Sequence, residues 1–135
     1  MKPIVVLGGS GMLGIGVMSA LRDAGVHHFS YSTRSGEPVA GFENFTHFKF
    51  DASLGESGVV SDYAQDGYVI NCIGVIKPHI KDDSAPERRN AMLINGLFPD
   101  ELDQAAKNSG FKVMRASLYH NVGHSDRLPQ GRLSM

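Results

Sequence analysis

Three glycines at three-residue spacing, Gly8, Gly11 and Gly14, follow directly on the apolar run Ile4-Val5-Val6-Leu7. They open a stretch with helical periodicity. Glycine admits a tight turn and a close backbone approach, which suits Gly8 and Gly11, and Gly14 suits tight packing of helix on strand. A helix that starts from such a turn offers free N–H groups at the positive end of its dipole. The chemistry that fits is the cradling of a dinucleotide pyrophosphate. Glycine spacing alone is weak; the strand before it and the helix after it make it specific.

Other residues able to do chemistry fall where strands end. Arg34 stands twenty residues beyond Gly14. An acid near that place favours NAD, whereas an arginine suits the 2′-phosphate of NADP, because a guanidinium forks onto phosphate with two charge-assisted bonds. A solvated loop arginine is the plainer alternative. Asp51 follows an aromatic-polar alternation and has two compatible roles: acceptor for an adenine amino group, or cap of the next turn. Asn71-Cys72-Ile73-Gly74 closes another buried run. There Gly74 either lets the backbone approach the cofactor's ribose or nicotinamide, or simply ends a strand.

Weaker candidates are set aside on chemical grounds. Cys72 has no histidine near it in sequence and reads as a small buried hydrophobe. His120 and His124 have ligand-like spacing without the companions a zinc site needs. His27 and His28 flank a strand. The charges Lys81, Asp82, Asp83, Glu87, Arg88 and Arg89 read as a solvated helix start, with Arg88 or Arg89 facing a phosphorylated substrate as the alternative.

The elements that must position these residues follow from hydrophobic period. Ile4–Leu7 is a continuous buried strand. Leu13, Val17 and Leu21 mark an amphipathic helix stopped by Gly25. His28–Ser32 reads as a second strand with imperfect alternation, residues 35–44 as a loop, Phe45–Phe50 as a third strand and Gly58–Ala64 as a short helix. Tyr68–Ile73 is the fourth strand. A charged loop, Lys77–Asp83, leads to a helix with the stripe Ala91, Ile94, Phe98, Leu102 and Ala105. Pro99 lies inside that stripe and predicts a kink or a break. Phe111–Met114 starts a fifth strand. Strands alternating with helices give an α/β, doubly wound parallel sheet, a Rossmann-type dinucleotide-binding domain.

Composition sets the class. The chain has 135 residues, 41% hydrophobic and 20% charged, with net charge −1. That describes one soluble globular domain without a nucleic-acid or polybasic membrane surface. One cysteine excludes an intrachain disulfide, and no run approaches a membrane span or a signal peptide, so cytoplasmic is the expected location.

Val5–Gly14, Val69–Lys77 and Ile94–Leu102 together resemble the short-chain dehydrogenase/reductase superfamily, in its extended-type, dTDP-4-dehydrorhamnose reductase-like branch. The resemblance covers about residues 2–114. It implies an NADP-binding domain, with NAD as the alternative cofactor, and hydride transfer to the keto group of a nucleotide-linked sugar. It further implies that Gly8, Ser10, Gly11, Met12 and Leu13 line the pyrophosphate. Arg34 would then meet the adenosine ribose or its phosphate, Asp51 the adenine, and Cys72, Ile73 and Gly74 the nicotinamide half. Asn95 matches a helix asparagine of the family with a structural role.

The family's proton-donating Tyr-x-x-x-Lys pair has no counterpart. Four residues after Tyr31, Tyr63, Tyr68 and Tyr119 stand Ser35, Gly67, Cys72 and Gly123. No catalytic residue is therefore assigned, Ser117 being one residue out of register. Residues 115–135 lose the alternating pattern and carry three arginines against one acid. They are expected to be an atypical tail, irregular or non-native, after a binding domain at 1–114, so that the sheet is truncated or atypical at its C-terminal end. Three readings follow: a reductase-family chain, a non-catalytic dinucleotide-binding or regulatory module, and an inactive fragment. An open sheet edge also predicts self-association, with a homo-oligomer as one form.

Overall fold

The computed structural model describes residues 2–74, 85–116 and 133–134. Strands β1 (Ile4–Leu7), β2 (Phe29–Thr33), β3 (His47–Lys49), β4 (Tyr68–Asn71) and β5 (Lys112–Ala116) form one parallel sheet in the order β3-β2-β1-β4-β5. A two-residue strand β6 (Leu133–Ser134) pairs antiparallel with the end of β5, Arg115 facing Ser134. The first strand has its expected bounds. β5 runs on to Ala116, and β3 is shorter than the alternation suggested: its register with β2 covers His47–Lys49, and the flanking Thr46 carbonyl and Phe50 N–H make the last bonds to Tyr31 and Thr33.

Alternation along the strands builds two cores, one on each face of the sheet. Val5, Leu7 and Val69 point to one side, with Val60 and Ala64 from α2 (Gly58–Ala64) and Leu102 nearby. Val6 and Ile70 point to the other side, with Phe29, Tyr31 and Met18 from α1 (Met12–Asp23). Fully burying side chains of this size stabilises the fold by roughly 1.5–3 kcal/mol each. Tyr31 is wholly buried, yet its hydroxyl is satisfied: it donates to the Phe42 carbonyl (3.0 Å) and accepts from the Val39 N–H (2.9 Å). That pair of bonds ties the loop after β2 down onto the sheet.

The proline expectation is met in a particular form. Helix α3 (Ala85–Met92) gives way to a π-helical turn, Leu93–Leu97, before α4 (Phe98–Ser109) resumes with Pro99 in its first turn. A ring at position 99 removes an N–H and crowds the carbonyl four residues back. The widened turn absorbs this, and Pro99 then occupies a position where its missing N–H costs nothing. The break thus lies ahead of the proline.

β1 is bonded to both β2 and β4, so the chain changes direction across the sheet between β1 and β4. In such sheets ligands lie outside the carboxyl ends of the strands at this point. The expected charged loop Lys77–Asp83, and Ser117, Tyr119, His120 and His124, lie outside the described residues. Among those described, no helix is long and apolar enough to cross a membrane.

Candidate functional site

At the carboxyl end of β1 the backbone reverses through Gly8, at φ +84°, where an L side chain is strained. Two bonds from β2 fix this turn: Gly8 N–H donates to Ser32 Oγ (3.0 Å) and Gly9 N–H to the Ser32 carbonyl (2.7 Å). Gly11 N–H then donates to the Gly8 carbonyl at 3.3 Å. A Cβ placed on Gly11 would meet only that carbonyl oxygen, at 3.8 Å. Space above Gly11 is open, as a ligand lying on the loop requires.

Helix α1 begins without help. Its N-cap, Gly11, has no side chain to bond the first turn, and no acid lies in that turn. The first intrahelical bond runs from Ile15 N–H to the Gly11 carbonyl (2.9 Å), which leaves the N–H groups of Met12 and Leu13 without an intrahelical acceptor. An uncapped N-terminus with unopposed positive dipole is suited to an anion.

From this turn a groove of about 180 Å³ crosses the strand ends. Gly8, Ser10, Gly11, Arg34, Asp51, Cys72, Ile73 and Gly74, eight residues singled out in the sequence, line it together. Met12 and Leu13 do not line it. Met12 projects its side chain outward, 77% exposed, so these two residues can offer the groove backbone N–H groups and not side chains. Arg88 and Arg89 are exposed on α3 and His27 and His28 are exposed ahead of β2; none of them lines the groove.

Sequence reasoning missed Ser32, Phe50, Ala52 and Ile94, which also line the groove. Phe50 and Ile94 form an apolar wall of the kind that buries a ring. Ser32 had a signal: the imperfect alternation of the second strand places a hydroxyl, now only 1% exposed, on the glycine turn. Ser32→Ala is expected to leave the Gly8 N–H without an acceptor and to cost about 1–3 kcal/mol. Denaturant titration checks this, and a midpoint equal to wild type would count against the role given to the hydroxyl.

Asp51 performs the capping role. Its Oδ1 accepts from the Ser53 N–H (2.9 Å) and the Ser53 hydroxyl (2.6 Å), closing a 3-10 turn over Ala52–Leu54. Its Oδ2 faces Arg34 Nε at 3.4 Å. The Ser53 bonds hold the carboxyl below the usual range, Arg34 adds to this, and partial burial opposes it. Asp51 is therefore a carboxylate at neutral pH.

Thr33 Oγ fixes the bend beyond Arg34 by accepting from the Gly36 N–H and donating to the Glu37 carbonyl, both at 2.9 Å. Across the groove, Asn71 Oδ1 accepts from the Ile73 N–H (3.0 Å) and turns the chain out of β4. Burial pushes the Cys72 thiol up to about 12, so it stays protonated and is no nucleophile at neutral pH.

The arrangement can hold a phosphate on backbone N–H groups, an adjacent charged group at Arg34, and a flat ring against Phe50 and Ile94. No protein-family model matches the chain, and no curated protein matches it in sequence. Solved structures do share its fold. UDP-glucose 4-epimerase from Thermus thermophilus, in complex with NAD, superposes with TM-score 0.63 at 15% identity, over 80% of this chain and 34% of that one. An epimerase from Methanothermobacter thermautotrophicus gives TM-score 0.63 at 23% identity, over 86% and 35%. Uronate dehydrogenase from Agrobacterium tumefaciens, complexed with NAD, gives 0.63 at 21%, over 87% and 41%. The chain thus spans well under half the length of these enzymes. It has a doubly wound, Rossmann-type α/β fold, with five parallel strands and one short antiparallel addition.

Proposed function

We propose that residues 1–114 are the dinucleotide-binding domain of an extended-type short-chain dehydrogenase/reductase, holding NADP, with NAD as a second cofactor. The observation that carries the reading is the single groove uniting an uncapped helix N-terminus with Arg34, Asp51 and the end of β4. In this reading the glycine turn and the first N–H groups of α1 hold the pyrophosphate. Arg34 takes the 2′-phosphate, the Asp51 edge lies beside adenine, and Cys72, Ile73 and Gly74 border the nicotinamide half. A bound nicotinamide supplies or accepts the hydride; the chain's own residues bind and orient it. The solved structures of this fold include enzymes complexed with NAD, and one bound to UDP-glucuronic acid, which supports a nucleotide-linked sugar as substrate. Reduction of the sugar's keto group is the proposed reaction, in the cytoplasm, with residues 115–135 as an atypical tail that starts in the last two residues of β5 and whose Leu133–Ser134 pairs back onto them.

A second reading, a non-catalytic dinucleotide-binding module that self-associates, is favoured by one observation. None of the four tyrosines is followed four residues later by lysine. Proton donation to the forming alkoxide then has no residue assigned to it. Fluorescence titration with NADPH tests the common part of both readings. Saturable binding is expected, and no signal up to millimolar cofactor would end them. NADPH oxidation in the presence of a dTDP-4-dehydro-sugar separates reductase from binding module.

A further inference from the structure

Among the described residues that line the groove, the charged ones are Arg34 and Asp51, one cation and one anion. Their contact is Nε to Oδ2 at 3.4 Å. The two ends of the pair differ in anchorage. Asp51 is fixed by its two bonds to Ser53, with its side chain 19% exposed, whereas the Arg34 side chain is 76% exposed. We infer that Asp51 is a specificity-determining residue: by holding one edge of the Arg34 guanidinium it offsets the charge offered to a 2′-phosphate, so that the groove accepts NAD as well as NADP. This rests on the dinucleotide-binding reading above.

Two effects of Asp51 compete. Ordering the Arg34 side chain helps either cofactor, since the four N–H donors on its terminal amino groups then meet a ribose or a phosphate with less freedom to lose. Repulsion acts on the phosphorylated cofactor alone. A phosphate bonded to Arg34 lies within about 8 Å of the carboxylate, one Debye length at physiological salt, so the repulsion persists. Ordering by an exposed ion pair is weak. The Ser53 bonds, by contrast, keep the carboxylate in place and ionised. Charge therefore decides the sign, and Asp51 disfavours NADP relative to NAD.

Asp51→Asn removes the charge while its amide oxygen can still accept from Ser53, so the 3-10 turn is kept. Dissociation constants for NADPH and NADH are measured on wild type and variant at low and high salt. The preference for NADPH over NADH is expected to rise roughly three- to tenfold in the variant, and this gain should shrink at high salt. An unchanged or lowered preference overturns the inference. So does an equal weakening of both cofactors, which would make Asp51 an adenine contact and nothing more. If Asp51→Asn does not fold by circular dichroism, Asp51→Ser keeps a capping hydroxyl and reads the same ratio. A wild type that binds neither cofactor overturns both this inference and the function it rests on. A wild type that binds both, with the ratio unmoved by the variant, overturns the inference alone.

Discussion

Gly14→Ala is expected to loosen the junction of β1 and α1, lowering stability by about 1–3 kcal/mol or more and removing saturable dinucleotide binding. A Cβ at Gly14 would run into the Gly8 carbonyl oxygen, and would stand 2.8 Å from its carbon and 2.9 Å from Gly9 Cα. These are backbone atoms and cannot rotate aside. Nor can the turn retreat, because Gly8 is bonded to Ser32 Oγ and a Cβ on Gly9 would already stand 2.8 Å from Tyr31 Cδ2. Relief requires α1 to slide off the strand, which moves the N–H groups of Met12 and Leu13 away from the groove.

Gly16 supplies the control within the same helix. A Cβ there meets nothing within 4 Å, so Gly16→Ala should stabilise by about 0.4–1 kcal/mol through the unfolded chain. Urea denaturation of the three proteins, followed by cofactor titration, gives the comparison. Equal behaviour of the two variants would remove the packing role assigned to Gly14.

The second large effect falls on cofactor choice. Arg34→Ala is expected to weaken NADPH about ten- to a hundredfold while NADH changes little, since a hydrogen bond to a charged group contributes about 1.5–3 kcal/mol. The side chain is 76% exposed and its ion pair, with Asp51, is a surface one, so the unfolding midpoint should stay near wild type. Parallel titrations with the two cofactors read the difference directly. Equal losses would place Arg34 on the shared ribose, and the 2′-phosphate assignment would go.

Much of the frame was legible from residue patterns. Ile4–Leu7 and Tyr68–Ile73 read as buried strands because both faces of a central parallel strand are covered, leaving no polar alternation; the second ends earlier, at Asn71, whose side chain accepts from the Ile73 N–H and turns the chain out of the sheet. The short helix Gly58–Ala64 has the bounds its pattern suggested. Pro99 announced a disturbance, but only the packed helix shows that five residues ahead of it widen into a π turn. The antiparallel pairing of Leu133–Ser134 with β5 had no local sign, since a two-residue strand carries no period.

The candidate site divides along the same line. Sequence by itself determined the types and order of the groups: a glycine turn between strand and helix, an arginine after β2, an aspartate after β3 and a glycine after β4. Local chemistry suffices there, because a tight turn, an uncapped helix start and a strand end are each encoded within a few neighbouring residues. Only the tertiary structure decided what those groups do to one another. Parallel pairing brings residues far apart in the chain to one edge of the sheet, so Ser32 clamps Gly8 and the Arg34 guanidinium meets Asp51. It also left Met12, next in the chain to the groove residue Gly11, with an exposed side chain outside the groove. Such relations depend on strand order and register, which no short stretch of sequence contains.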